Sequence, residues 1–185
     1  MPKSKLVKIG VWEDEIFKGV VIFGVGATRS LVSPYGLKPI EGCELVRIAL
    51  KDHSTTVSRI TSIALKMLKK ANKGLRLVVS FADPNVGHTG QIYKAGNWIY
   101  TGKSSGCYFF RDKRGKMWHP RNVSEDLWRS GKQIRPSECE KVWMDGKHRF
   151  LYPLDEELRK RLKPKSTASG FHPEEGGAVP TETHK

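Results

Sequence analysis

The stretch that decides the fold runs from Ser80 to Gly102, SFADPNVGHTGQIYKAGNWIYTG. It continues an apolar run that begins at Leu75, and the continuous Leu75–Ala82 segment predicts a buried strand. Asp83-Pro84-Asn85 ends that strand with turn chemistry. A short helix is then expected from about His88 to Ala95, carrying Tyr93, before Trp98 opens another strand that runs to Thr101.

Upstream, Glu44–Leu50 reads as a mostly apolar, central strand, and Ser54–Ala71 as the strongest helix. Val57, Ile60, Ala64, Met67, Leu68 and Ala71 recur at helical spacing, with Lys66, Lys69 and Lys70 off that stripe. Ser54, Thr55 or Thr56 is expected to cap its start, and Asn72-Lys73-Gly74 to stop it. Strand, helix, strand, helix, strand in this order predicts α/β architecture with at least one parallel crossover.

Further out, Lys5–Trp12 and Gly19–Gly24 read as a hairpin turning at Glu13-Asp14-Glu15, and 26–42 as irregular. Tyr108–Trp118 reads as a hairpin around Asp112-Lys113-Arg114-Gly115. Ser124–Trp128 is expected to form a short helix. Glu140–Met144 and His148–Tyr152 flank Asp145-Gly146, a hairpin-turn signal, and a last helix is expected over Asp155–Leu162. Residues 1–163 are read as one domain, with the basic hairpins inside 107–153, and 164–185 as a disordered tail without apolar periodicity.

Composition narrows the function. The 185 residues are 38% hydrophobic and 28% charged, and no apolar run approaches the length that spans a bilayer. Cys43, Cys107 and Cys139 are widely spaced and read as reduced thiols of a cytosolic protein. No metal-ligand spacing, serine-hydrolase elbow, Walker loop or dinucleotide fingerprint occurs, so no metal site is expected. The net charge is +14, and the last twenty-two residues hold two lysines against three acids, so an excess of fifteen cations falls on the rest. A polyanionic partner follows, nucleic acid ahead of a membrane surface.

Four groups of residues offer chemistry. Lys51–Arg59, between a central strand and a helix, has hydroxyls and Arg59 that suit either a helix cap or a phosphate. Tyr93 is either a core phenol or a proton donor. Ser80, Asp83, Asn85 and His88 gather at a carboxyl strand end, where α/β sheets tend to bind ligands, although Asp83-Pro84-Asn85 also makes a plain turn. Asp83, His88 and Glu44 are the candidates for a base. Finally, Arg111, Lys113, Arg114, Lys116 and Arg121 surround Phe109, Phe110 and Trp118 in one ribbon, with Lys147 and Arg149 as a second patch. Such a ribbon suits phosphates and a stacked base, or a solvated basic turn over core aromatics.

Ile-Tyr-Lys-Ala-Gly-Asn-Trp within ADPNVGHTGQIYKAGNWIYTG resembles the end of the catalytic half of the GNAT superfamily of acyl-CoA-dependent N-acyltransferases. The longer spelling, over roughly Lys5–Leu162, is similar to the Mom-like family of phage DNA-modification proteins. The resemblance implies a mixed, mostly antiparallel sheet splayed at its centre, with acetyl-CoA bound at the splay. It implies that Val46, Arg47, Ile48, His53, Ser54, Thr55, Thr56, Ser58, Arg59 and Asn97 contact the cofactor, and that Tyr93 protonates the departing thiolate. The implied function is transfer of an acetyl-CoA-derived carbamoylmethyl group to the N6 amine of adenine in double-stranded DNA. That would protect phage DNA from restriction in the bacterial host cytoplasm.

Two other functions stay open at this point: N-acetylation of a protein or small-molecule amine, and DNA binding on a catalytically dead scaffold of this fold. Relatives are expected to carry a His-Tyr pair upstream of the first hairpin, whereas Met1 leads directly onto it here.

Overall fold

The computed structural model describes residues 6–26, 28, 30–123, 131 and 134–164. The helix expected over Ser124–Trp128 and the tail from 165 onward lie outside the described residues.

The chain opens with β1 (Leu6–Glu13) and β2 (Ile16–Gly24), an antiparallel hairpin. Its turn, Asp14-Glu15, takes left-handed conformations at both residues (φ 49° and 64°), the geometry that matches the twist of the flanking strands. Two short 3-10 turns, Ser33–Tyr35 and Pro39–Glu41, each with proline in its first turn, lead into β3 (Gly42–Leu50). Helix α1 (Val57–Ala71) follows, then β4 (Leu77–Ala82), α2 (Gln91–Ala95) and β5 (Ile99–Lys103). The remainder comprises β6 (Cys107–Arg111), β7 (Met117–Trp118), β8 (Glu140–Met144), β9 (His148–Pro153) and α3 (Glu156–Arg161).

Nine strands form two sheets among the described residues. The first has the order β1-β2-β3-β4-β9-β5, and only β3 and β4 run parallel in it; the second is β7-β6-β8, all antiparallel. The α/β architecture with a mixed sheet and one parallel crossover through α1 is therefore as read from the sequence.

The expected hairpin about Asp145-Gly146 is corrected. β8 pairs with β6, while β9 is inserted between β4 and β5. Asp145–Lys147 is thus a crossing between sheets, passing so close to the Ser104 carbonyl that a Cβ at Gly146 would collide with it. Asp-Gly permits the bend, but the fully apolar Phe150-Leu151 pair belongs in the larger core.

β4 explains the sheet's centre. Leu77, Val78, Val79 and Ser80 are all essentially inaccessible, because alternate residues face two separate apolar layers. On one side Val78 and Ala82 meet Ile60, Ala64, Leu65 and Leu68 of α1, with Tyr93, Trp98 and Phe150. On the other, Leu77, Val79 and Leu151 meet Val32, Leu37 and Leu158. Each fully buried aliphatic side chain contributes about 1.5–3 kcal/mol.

Candidate functional site

β3 and β4 pair at only three positions, Gly42↔Leu77, Cys43↔Val78 and Glu44↔Val79. Beyond Glu44 the two strands are no longer paired to each other, although β3 continues to Leu50 beside β2. Ser80 stands where the pairing ends. Its Oγ lies 3.1 Å from the Leu45 carbonyl oxygen and 2.7 Å from the Tyr93 hydroxyl. Ser80 is 1% exposed, so this hydroxyl takes the place of a strand N–H at Leu45.

Helix α2 delivers Tyr93 to that point. Gly90 opens the helix in the left-handed region (φ 76°), and a side chain there would strike the Phe150 ring. The close passage lays Tyr93 against Phe150 (ring centroids 4.8 Å apart) and Trp98 (5.1 Å). Burial raises the Tyr93 pKa, the Ser80 hydrogen bond offsets part of that, and the Glu44 charge adds to the rise. The phenol is therefore protonated at neutral pH. Ser80 has one proton for two neighbours. While it donates to Leu45, it can accept from Tyr93; if Tyr93 loses its proton, Ser80 can turn and donate to the phenolate.

The other polar residues divide. Glu44, half-buried at the last paired position, is within electrostatic reach of Tyr93 and of Cys43, whose thiol is pushed up to about 12 by burial and then by Glu44. Asp83 is committed elsewhere. Burial pushes its carboxyl up, but Lys147 at 3.0 Å and the Asn85 side chain and backbone outweigh this and hold it below the ordinary value. Asn85 also exchanges hydrogen bonds with the backbone of Asp145, so Asp83 and Asn85 tie β4 to the sheet crossing. His88 is exposed on the loop before α2.

One group escaped the sequence reading. His148 Nδ1 lies 3.0 Å from the Tyr100 hydroxyl, and Tyr100 packs on Phe150 at 5.3 Å. On β9, His148 alternates with Phe150 and Tyr152, so it shares the face that carries Tyr93. Burial, then Lys103 and Lys94, lower its pKa and favour neutral imidazole. The period-two spacing His148-Phe150-Tyr152 was the available signal.

The expected cofactor residues also separate. Val46, Arg47 and Ile48 lie on the part of β3 beyond its pairing with β4, an arrangement that fits an extended, amide-bearing ligand arm. The N-terminus of α1 does not match the expectation. None of Ser54, Thr55 and Thr56 caps the helix through its side chain. Glu13, from the first hairpin, accepts instead from the backbone N–H of Ser54 and of Thr55, each at 2.8 Å, and from the Ser54 hydroxyl at 3.1 Å. Those bonds hold its carboxyl at about 2. The loop amides just before α1 thus already carry an anion.

His53 bonds the Thr55 carbonyl, Ser58 reaches Thr56, and Arg59 is exposed. Asn97 lies away from this turn, in a groove between α1 and α3.

The sequence profile of the Mom protein family matches residues 1–169. The chain belongs to the Mom protein family. It is 29% identical over 127 residues to the methylcarbamoylase Mom of Escherichia phage Mu, an alignment covering 66% of this chain and 52% of that protein. It thus spans about half the length of the curated relative it matches.

In this Mom-family chain the basic ribbon belongs to the smaller sheet, and its charges are partly neutralised in place. Arg111 pairs with Glu140 at 2.7 Å, and Lys113 with Glu138 at 3.9 Å. Lys116 lies 3.8 Å above the Trp118 ring, whose Nε1 donates to Asp112 at 2.8 Å. Trp118 is therefore held at its Nε1 edge and covered on one face, while the residue as a whole stays half-buried. Phe109 packs on His119 at 5.0 Å, while Arg114 and Arg121 point to solvent. Lys147 and Arg149 have different partners: Lys147 bonds Asp83, whereas Arg149 lies by Tyr35 and Phe81. No described helix is long and apolar enough to cross a membrane.

Proposed function

We propose that this chain is a DNA-modifying transferase of GNAT type, whose product is adenine carrying a carbamoylmethyl group on N6. It would act on double-stranded DNA in the bacterial host cytoplasm and shield phage DNA from restriction. The observation that carries this reading is the Tyr93–Ser80–Leu45 arrangement in the gap between β3 and β4, within a chain of the Mom family.

Acetyl-CoA would supply the two-carbon unit, activated as a thioester; the carbamoylmethyl product also takes a nitrogen donor, which displaces the CoA thiolate to form the amide, and a two-electron oxidant for the bond from the methyl carbon to N6. Residues 46–48 of β3 would bind its amide-bearing arm as an added strand, and Tyr93 Oη would hold a proton at the gap for a leaving anion. Ser80 would steady the phenolate left behind. The neutral imidazole of His148, on the same face, suits acceptance of a proton from the incoming amine better than the ion-paired Asp83 does. Arg114 and Arg121, with Lys113 and Lys116, would contact DNA phosphates from the smaller sheet.

DNA recovered from cells expressing the chain, digested to nucleosides and weighed, tests the reading. A heavier deoxyadenosine is expected; wholly unmodified deoxyadenosine from cells holding folded protein overturns it. Glu13 on the Ser54 and Thr55 amides, just before α1, favours a second reading, a DNA-binding scaffold without CoA affinity. Calorimetry with CoA at millimolar concentration separates the two.

A further inference from the structure

We infer that the groove between α1 and the α2–β5 turn is a track for the sugar–phosphate backbone of DNA. The inference rests on the DNA-modification reading and adds a contact surface distinct from the basic ribbon. The groove is about 1060 Å³ and is closed on its third side by the β9–α3 corner. Lys66, Lys69, Lys70, Lys94 and Arg159 line it, and its floor is apolar, with Trp98 and Tyr152.

Charge and geometry both select a backbone. Of the two carboxylates in the lining, Asp155 is committed: it receives both a 2.9 Å and a 3.2 Å bond from Arg76 and caps α3 through Leu158 N–H. Glu156 alone is left against five cations. Lys69 is anchored by the carbonyls of Lys73 and Leu75 at 3.0 and 2.6 Å, as expected of a lysine at the negative end of a helix. Lys66 and Lys70 have no such duty. Both are exposed and make no side-chain bond among the described residues, so helix capping does not explain them. They stand one turn apart, roughly 6 Å along the axis, on the scale of successive phosphates in one strand.

The floor argues against a nucleotide that stacks its base. Trp98 is only 7% exposed, and Tyr152 is covered by the Arg159 guanidinium, 5.2 Å from its ring. Rings already covered leave charge as the means of recognition, which suits a phosphodiester chain read without regard to sequence.

Fluorescence anisotropy on a duplex of about 30 base pairs, across a salt series, tests this. Lys66→Gln with Lys70→Gln should weaken binding on the order of tenfold to a hundredfold near 0.1 M salt and lower the salt slope by about 1.8, or 0.9 per phosphate. Lys8→Gln with Lys163→Gln, which removes the same charge elsewhere, should leave the slope near the parent's. A parent that binds DNA, with a groove variant matching it, overturns the track and leaves the DNA-modification reading standing. A control pair that loses as much as the groove pair also overturns it, and so does a groove pair that loses affinity for CoA but not for DNA. A parent without salt-dependent DNA binding sinks both readings. Acetylation footprinting of the parent protein, in which duplex DNA should shield Lys66 and Lys70, checks the surface without any variant; unshielded lysines in a formed complex overturn the track.

Discussion

The two sheets of this Mom-family chain treat their polar groups in opposite ways. In the six-stranded sheet, Ser80 and Tyr93 are buried, bonded to each other and held by aromatic rings on both sides of the phenol. In the three-stranded sheet, the charged side chains are exposed, and several spend their charge on neighbours such as Glu138 and Glu140. A buried hydroxyl pair has no water to replace a lost partner, whereas an exposed ion pair contributes only about 0–1 kcal/mol. Chemistry is therefore expected to be sensitive to single atoms in the first sheet and tolerant of them in the second.

The largest effect expected is on turnover. Tyr93→Phe removes one oxygen and should reduce adenine modification by roughly 10²–10⁴-fold while leaving the ring packing in place. The yield of heavier deoxyadenosine per unit time, with a thermal melt to confirm the fold, measures it. Wild-type yield would make Tyr93 a core residue and erase the contrast between the sheets.

Stability should show the same contrast. Phe150 touches Tyr93, Tyr100 and the Gly90 loop, and is 1% exposed. Phe150→Ala is expected to cost about 3–5 kcal/mol in denaturant unfolding, the range for a buried phenylalanine. Phe109→Ala, in the half-buried smaller sheet, should cost less than half of that. Equal losses would mean that the two sheets share one continuous core.

Which parts of this were legible in the sequence follows from how local their causes are. The run from β4 through α2 to β5 could be read because apolar continuity, a proline turn and helical spacing all lie within about twenty-five residues. The Asp145-Gly146 bend was legible as a bend, yet its strands separate into different sheets, since strand partners are chosen by burial of the whole segment. Glu13 reaches the Ser54 and Thr55 amides across 41 and 42 residues, and Tyr100 meets His148 across 48, distances over which no spacing rule operates. The α1 lysines were visible as an off-stripe set, but α2 and α3 had to be placed before they became one wall of a groove.

A smaller change is expected in the ribbon. Replacing Lys113, Arg114 and Lys116 together by Gln should lower the salt slope of DNA binding by about 1 rather than the roughly 2.7 expected of three free cations at 0.9 each. The reason is that Lys113 faces Glu138 and Lys116 lies on Trp118, leaving Arg114 as the uncommitted charge. A full loss near 2.7 would show that DNA outcompetes those local partners and would make the smaller sheet the main contact.

The smallest effect, and the one that most directly separates cofactor from scaffold, concerns Glu13. Its folded pKa, about 2, lies below the ordinary 4.5, so its contribution to stability is present above about 4.5 and is lost as pH falls through about 2. The pH-dependence of the melting temperature of Glu13→Gln should therefore be flatter than the parent's between those values, and its melting temperature lower at neutral pH. Coinciding profiles would mean that the carboxylate does not hold the Ser54 and Thr55 amides in solution. The same variant has a second readout. If CoA phosphates bind the Ser54 and Thr55 N–H groups, they must displace an anion already bonded there, and a neutral Gln should yield more readily. Glu13→Gln is then expected to tighten CoA binding several-fold in calorimetry, and Arg59→Ala to weaken it. Unchanged affinity in both would place the phosphates away from α1's N-terminus.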